Sequence, residues 1–307
     1  MKTQNSTPVT IGLISDTHYW PGSSVQFGSE ESQLQPWSTE IQAALMAELA
    51  GAKLDLVLHL GDVTCGGGVF GMNPAQVQSV IADTLADFAT LPGEFYAIPG
   101  NHDAPLGQPW TFFEQQAGLE RGMGRTIDLP QARLILLNAQ GHSDAQITAA
   151  LPDDPISGWV TDAELARLDR DLAGAGERPV ILFVHQLLQR WSSTQTWVDY
   201  YWVENAEAVL AIMARYGNVR AVFQGHAHLL DVQRIHVGGH PCQFIIIPSL
   251  MEYPVAWLHL TLTQDALHMA LRPLPLPELR QRSLNAGEGQ AWRAGRPEWE
   301  KMQIALN

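Results

Sequence analysis

The sequence contains only two cysteines and no apolar run long enough to cross a membrane. Cys65 and Cys242 cannot build a disulfide framework, and they lack the CxxC spacing of a zinc–thiolate site. No hydrophobic stretch approaches the roughly 20 residues that a bilayer requires. Residues 1–15 lack a basic stretch followed by an apolar core and a cleavage site, so we expect a soluble, cytoplasmic protein.

Basic residues are also scarce. The chain has 18 lysines and arginines against 32 acidic residues, which gives a net charge of −14 over 307 residues. Because such a field repels nucleic acids and anionic membranes, we expect neither as a partner. A phosphate-bearing substrate would need a strongly positive local group, and bound metal ions would provide one.

What the sequence has in abundance is a regular alternation of short apolar runs and amphipathic segments. The runs have the length and composition of buried strands, and the segments carry apolar residues at three- and four-residue spacing. This alternation predicts an α/β fold. The predicted strands are 9–15, 54–60, 94–99, 132–138, 178–184 and 219–224, and the predicted helices are 38–50, 74–90, 161–174 and 204–216.

The pattern changes after residue 225. Four strand-like runs follow one another to residue 273, joined by turns, and they predict a more antiparallel region that closes the fold. The last segment, 273–307, is rich in proline and then polar. We expect residues 1–272 to form the main domain and 273–307 an arm that packs on it or on a second chain. In the second case the protein would be a homo-oligomer.

Chemistry-bearing residues follow five of the predicted strands. The motifs are "DTH", "GD", "GNHD", "HQ" and "GHAH", in that order. In open α/β sheets, ligands bind at the carboxyl ends of the strands, so these side chains should converge. The convergent set holds two aspartates, one asparagine and four histidines, with His102 left over: Asp16, His18, Asp62, Asn101, His185, His226 and His228.

This set of donors suits a pair of metal ions. Imidazole and carboxylate together favour Mn, Fe, Co, Ni or Zn. If one aspartate bridges, seven side chains give each of two ions four protein ligands and leave positions for a shared hydroxide and a substrate, as in two-metal hydrolases. The glycines before Asp62, Asn101 and His226 would let the backbone approach the cluster.

In this order, the motifs over residues 9–230 resemble those of the calcineurin-like metallophosphoesterase superfamily, and "GNHD" is the most specific of them. The resemblance implies a four-layer α/β/β/α sandwich of two mixed sheets flanked by helices. It also implies two metal ions, Mn, Fe or Zn. By position in the motifs, the first ion would take Asp16, His18 and His228, the second would take Asn101, His185 and His226, and Asp62 would bridge them.

The resemblance further implies a reaction, in which a metal-bridging hydroxide attacks phosphorus in line with the leaving oxygen. His102, in the place of the superfamily's non-ligand histidine, would stabilise the transition state or protonate the leaving group. Asp103 would orient that imidazole. Compact bacterial-type members suggest a phosphodiesterase that acts on a small diester, such as a cyclic nucleotide or a glycerophosphodiester.

Four more side chains are candidates for the substrate pocket. Tyr19 and Trp20 follow "DTH" directly and must lie near the metals. Arg190 could meet a phosphate oxygen. Trp191 opens the aromatic cluster "WSSTQTWVDYYW", which predicts either a cap over the substrate or an interface or small core.

Three other functions stay open at this stage. The protein could be a phosphomonoesterase or a nucleotide pyrophosphatase, which would use the same ligands. It could be a non-catalytic scaffold of the same fold, although such scaffolds can lack the histidine that this chain keeps at His102. A nuclease is disfavoured by the net charge.

Overall fold

The computed structural model describes residues 7–28, 31–191 and 201–307. Its core is a pair of six-stranded mixed sheets packed face to face, with helices on the outer faces. This is the predicted α/β/β/α sandwich, so the fold prediction is confirmed. Among the described residues, no helix combines the length and the hydrophobicity that a membrane span requires.

The described residues contain twelve strands and seven α-helices. The strands are β1 (Val9–Ile14), β2 (Leu56–His59), β3 (Glu94–Ala97), β4 (Arg125–Asp128), β5 (Arg133–Leu137), β6 (Val180–Val184), β7 (Val219–Gln224), β8 (Asp231–Val237), β9 (His240–Ile246), β10 (Ala256–Leu262), β11 (Ala266–Pro273) and β12 (Lys301–Ala305). The helices are α1 (Ser38–Ala52), α2 (Pro74–Phe88), α3 (Thr111–Gln116), α4 (Asp144–Ala150), α5 (Asp162–Ala175), α6 (Ala206–Tyr216) and α7 (Pro277–Leu284).

The two sheets have related layouts. The first has the order β12-β11-β10-β1-β2-β3, with β1, β2 and β3 parallel. The second has the order β4-β5-β6-β7-β9-β8, with the four inner strands parallel. The prediction of a more antiparallel region after residue 225 agrees with most of these pairings, since β8 pairs antiparallel with β9, and β10 with both β1 and β11. Strand β9 pairs parallel with β7. Strands β10 and β11 belong to the first sheet, where β10 pairs with the edge of β1 that β2 does not occupy.

The inner strands are apolar throughout because both of their faces are buried. In β6, Ile181 and Phe183 point into the core between the sheets, whereas Leu182 and Val184 pack towards α5 and α6. A strand that is buried on both faces does not show the alternation of polar and apolar residues that a half-exposed strand shows. At the centre of the inter-sheet core Phe183 stacks on Phe223, with ring centroids 5.4 Å apart.

Three of the described α-helices, α2, α4 and α5, begin at a residue whose side chain caps the helix. Asn73 and Gln76 form a reciprocal capping box at the start of α2, and the Thr161 hydroxyl accepts the Glu164 N–H at the start of α5. Such caps satisfy N–H groups that have no partner within the helix. Helices α1 and α2 cover the first sheet and α5 and α6 cover the second, which leaves the carboxyl ends of the parallel strands open.

Segment 273–307 packs on this chain's own sheet. After α7 and two short 3-10 turns, β12 pairs antiparallel with β11 and becomes the edge strand. Ile304 and Leu306 are buried in the inter-sheet core. The last residues are therefore part of the sandwich.

We expect the substitution Phe223→Ala to lower the free energy of unfolding by about 3–5 kcal/mol, because it removes a buried ring and leaves a cavity between two rigid sheets. Chemical denaturation would measure the change. Val25→Ala is the control, since Val25 is 43% exposed and its loss should cost less than about 0.5 kcal/mol. A loss below about 1 kcal/mol for Phe223→Ala would contradict this account of the core.

Candidate metal centre

The seven predicted ligands meet at the carboxyl ends of five parallel strands. Each follows the end of its strand closely, after β1, β2, β3, β6 or β7. All seven side chains are buried. The structure thus brings together residues that lie more than two hundred positions apart in the sequence: Asp16, His18, Asp62, Asn101, His185, His226 and His228.

The ligand atoms form two neighbouring groups. One consists of Asp16, His18 and His228 and the other of Asp62, His185 and His226, with the ligand atoms of each group within 4.8 Å of one another. In the first group, His228 Nε2 lies 3.0 Å from His18 Nε2 and 3.3 Å from Asp16 Oδ1. Two imidazole nitrogens that face each other this closely share a space that a cation could occupy.

Asp62 lies between the two groups. Its Oδ2 is 3.1 Å from His185 Nε2 in one group and 3.7 Å from His18 Nε2 in the other. Asn101 joins the second group, with Oδ1 3.3 Å from His185 Nε2. One oxygen facing both groups is the position that a bridging carboxylate requires.

The backbone at the site adopts conformations that side-chain-bearing residues rarely take. Eight non-glycine residues in the described ranges have positive φ, and five of them are in the two groups. These are Asp16, His18, Asp62, His226 and His228, with φ between 38° and 67°. Such strain costs about 1–3 kcal/mol per residue and concentrates at functional sites.

Two glycines are needed for the close approach of these loops. A Cβ atom on Gly100 would overlap the Asp62 carboxylate, and one on Gly225 would overlap Ser15 and approach Asp16. The sequence-based interpretation of these glycines as points of close backbone approach therefore has a steric basis. Any larger residue at either position would push apart the loops that carry the ligands.

The protonation states fit a metal centre. Burial lowers the pKa of His18 to about 3 and holds the pKa of His226 well below its ordinary value, so both imidazoles are neutral, as metal ligands must be. His226 Nε2 is buried without a hydrogen-bond partner among the described residues. A bound cation would satisfy this nitrogen.

The two aspartates supply negative charge. Burial alone would raise the pKa of Asp16 and Asp62, but the neighbouring His228 and His185 outweigh it, and both carboxyl pKa values fall below the ordinary range. Burial lowers the pKa of His185 and His228, but the same carboxylates outweigh burial and raise both values, that of His228 to about 10. Cations bound here would replace these protons as partners of the carboxylates. The residues present therefore fit the pair of ions that the motifs predicted.

His102 stands beside the groups and is held by a carboxylate that the sequence analysis did not identify. Its Nδ1 lies 3.0 Å from Asp154 Oδ2, and its main-chain N–H donates to Asp62 Oδ1 at 2.9 Å. Asp103, predicted to orient this imidazole, instead accepts the N–H groups of Gly100 and Thr64. Consecutive side chains diverge, so Asp103 turns under the loop while His102 faces the cavity.

Burial lowers the pKa of His102, but the carboxylates of Asp62 and Asp154 outweigh burial and raise the pKa to about 9. The imidazole is consequently protonated at neutral pH. His102 lines the cavity and contacts Asp154, a carboxylate outside the two groups. His228 has a similar contact, with Glu252.

A cavity of about 440 Å³ opens over the two groups. One wall carries the polar side chains, and the facing walls are largely apolar. Phe27 and Phe70 meet edge to face there, with centroids 4.5 Å apart, and Phe70 lies 5.2 Å from His102. The remaining apolar and basic lining comes from Val69, Ile156, Tyr201 and Arg293.

The four predicted pocket residues are absent from the described lining of this cavity. Trp191 is fully buried in the core of the second sheet, and its indole N–H donates to Asp231. Arg190 is exposed and lies over the ring of Trp202. Tyr19 and Trp20 pack on the hydrophobic cluster around α2. Trp197 and Tyr200 of the aromatic cluster lie outside the described residues.

Several lining residues were not predicted from the sequence, because none of them lies directly at the carboxyl end of a strand. Asp154 comes from the loop between α4 and α5, and Phe27 and Phe70 come from long loops after the "DTH" and "GD" motifs. Glu252 precedes β10 and Arg293 lies in the C-terminal segment. The expectation that ligands lie at the carboxyl ends of strands identifies only residues directly after a strand. No spacing pattern links these five residues to one another.

Comparison with known proteins agrees with the geometry. The sequence profile of the family described as calcineurin-like phosphoesterase matches residues 9–230 of the chain. The chain belongs to this family. The resemblance inferred from the ordered motifs is thereby confirmed, and the matched span begins at β1 and ends just past "GHAH".

Proteins that are similar to this chain in sequence include named phosphodiesterases. The chain is 24% identical over 224 residues to a 3′,5′-cyclic-nucleotide phosphodiesterase of Nostoc sp., and 28% identical over 230 residues to the glycerophosphodiester phosphodiesterase GpdQ of Enterobacter lignolyticus. Each match covers 72% of both chains. A dimetal phosphatase from Danio rerio shares the fold, with a TM-score of 0.68 and 16% identity over 97% of this chain and 99% of that one.

We expect the unmodified chain to bind two Mn²⁺ ions and to keep them during dialysis. The variant Asp62→Ala should retain fewer than one ion, because the substitution removes the oxygen that faces both groups. Metal analysis of the dialysed protein would measure the content. Asp265→Ala, at an exposed aspartate, should retain both ions. Equal metal content in Asp62→Ala and the unmodified chain would contradict the bridging position of Asp62.

Proposed function

We propose that this chain is a binuclear metal-dependent phosphodiesterase that hydrolyses a small phosphodiester, such as a cyclic nucleotide or a glycerophosphodiester. The observation that carries the proposal is the pair of ligand groups meeting at Asp62, beside a histidine held by its own carboxylate in a cavity. The names of the relatives support both diester classes.

The ions would be held by Asp16, His18 and His228 on one side, by Asn101, His185 and His226 on the other, and by Asp62 between them. When bound, two such ions lower the pKa of water and draw charge from the phosphoryl oxygens. The mixed nitrogen and oxygen ligands suit Mn, Fe or Zn. The acidic balance of the chain makes the ions the main attraction for an anionic substrate.

His102 would act as the general acid. Asp154 engages its Nδ1, which leaves Nε2 as the ring nitrogen available to a leaving-group oxygen. Asp154 on the far nitrogen would favour the protonated form of the ring, which is the form that a general acid needs. Asp154 would act as a positioning residue that fixes the ring.

The apolar side of the cavity supports a diester over a monoester. A diester presents two organic groups and a single negative charge, so one group can rest on an apolar wall while the phosphoryl group meets the ligands. The edge-to-face pair Phe27 and Phe70 supplies such a wall next to His102. Val69 and Ile156 extend it to the mouth, where they are 63% and 49% exposed.

We also propose that the protein acts in the cytoplasm on a free small molecule, without a nucleic-acid or membrane partner. The net charge of −14 supports this view. A homo-oligomer stays a prediction from the sequence, and size-exclusion chromatography with light scattering would test it.

A side-by-side assay of bis(p-nitrophenyl) phosphate and p-nitrophenyl phosphate with Mn²⁺ tests the diester preference. We expect kcat/KM to be at least about tenfold higher for the diester, equal to roughly 1.4 kcal/mol of transition-state free energy. Cyclic AMP, glycerophosphocholine and a nucleotide pyrophosphate form the second arm. Monoester or pyrophosphate turnover well above diester turnover would overturn the preference.

Replacing His102 tests catalysis itself. We expect His102→Ala to lower kcat for the diester by about 10²–10⁴-fold, because the substitution removes the proton donor. Its Mn²⁺ content should stay at the unmodified level. His268→Ala removes an exposed histidine of β11 and should leave kcat unchanged. No hydrolysis by the unmodified chain with both ions bound would instead favour a scaffold.

A further inference from the structure

Glu252 is a buried carboxylate immediately behind the first ligand group. Its side chain is 1% exposed in the loop that leads from β9 to β10. Three groups surround it: Oε2 lies 2.6 Å from His228 Nδ1, Oε1 lies 2.8 Å from an Arg293 guanidinium nitrogen, and Ser32 Oγ donates to Oε1. A carboxylate with a cation and two further partners is stable at this depth despite the loss of water.

This contact fixes which nitrogen of His228 faces the ligand group. With Nδ1–H donating to Glu252, Nε2 points at Asp16 Oδ1 and His18 Nε2, at 3.3 and 3.0 Å. A carboxylate on the far nitrogen of a ligating histidine fixes its tautomer and ring orientation and increases its basicity. In the same group, His18 Nδ1 lies 3.2 Å from the main-chain oxygen of Thr64, so Glu252 brings a charged partner to the histidine pair.

Arg293 ties the relay to the C-terminal segment. Besides its ion pair with Glu252, it donates to the main-chain oxygen of His228 at 3.0 Å and to Gln290 Oε1 at 2.9 Å. The main-chain N–H of Leu230 donates back to the Arg293 oxygen at 2.7 Å. The guanidinium thus holds both the carboxylate and the strained backbone of His228, which has a φ of 54°.

Both residues lie beyond residue 230, where the family match ends. We propose that Glu252 and Arg293 form a positioning pair that sets the affinity of the first group, Asp16, His18 and His228, for its ion. The inference rests on the proposed function, because it presumes that the two groups hold ions. Its consequence is that residues beyond the five motifs, one of them in the C-terminal segment, influence metal occupancy.

The test is a calorimetric titration of EDTA-stripped full-length protein with Mn²⁺. Glu252→Gln keeps the shape of the side chain and removes its charge. We expect one of two ions to bind about 10–100-fold more weakly, while the affinity of the other is unchanged. Glu278→Gln, an exposed glutamate of α7, is the matched control and should bind both ions as the unmodified chain does.

The outcomes separate the two proposals. Two tight ions in both the unmodified chain and Glu252→Gln would overturn the positioning pair and leave the proposed function standing. Fewer than two ions in the unmodified chain would overturn the proposed function itself. Equal weakening of both ions in Glu252→Gln would point to a general structural role and would also overturn the pair.

A second variant covers the case in which Glu252→Gln does not fold without metal, as judged by circular dichroism. Ser32→Ala removes a single donor to Glu252 and leaves the ion pair with Arg293 intact. We expect it to weaken the same ion by about fivefold, as the loss of one hydrogen bond would. An unchanged affinity for both ions in Ser32→Ala would then count against the proposal.

Discussion

The structure depends on the burial of two carboxylates, Asp16 and Asp62, at the edge of two sheets. Ionised groups at this depth need compensating positive charge, and the imidazoles that face them are in part neutral. The site as a whole therefore favours cations. Without ions, this electrostatic demand is met by His102, His185 and His228, whose pKa values the carboxylates raise. Bound cations would take over that role.

The fold meets this demand through rigidity. Parallel strands buried on both faces hold the ends of β1, β2, β3, β6 and β7 in fixed register, and the short loops after them adopt strained backbone to aim their side chains. The late strands do more than complete the sheets. Strands β10 to β12 bring the chain back across the first sheet, so that Glu252 and Arg293 reach the site from behind. Two residues that support the first ligand group thus come from beyond the motifs that supply the ligands.

Much of this arrangement could be predicted from the sequence, for a physical reason. Strands such as 178–184 and 219–224 are continuous apolar runs, and the motifs after them are delivered to one edge by the sheet, so the ligand set follows from strand order. Asp154 and Phe70 could not be predicted in this way, because both lie in loops away from a strand end, and the sequence does not indicate where such residues lie in space. Trp191 shows the converse error: its aromatic character suggested a substrate contact, but a large ring next to His185 fills the core instead.

The most direct test of the account is anomalous diffraction from crystals of the unmodified chain soaked in Mn²⁺. The account predicts two anomalous peaks per chain, one on each side of Asp62 Oδ2, separated by about 3.5–4 Å as in other two-metal hydrolases. Peaks at that spacing, each next to one of the two ligand groups, would place both ions in a single reactive centre. A single peak, or two peaks with Asp62 out of contact with either, would contradict it.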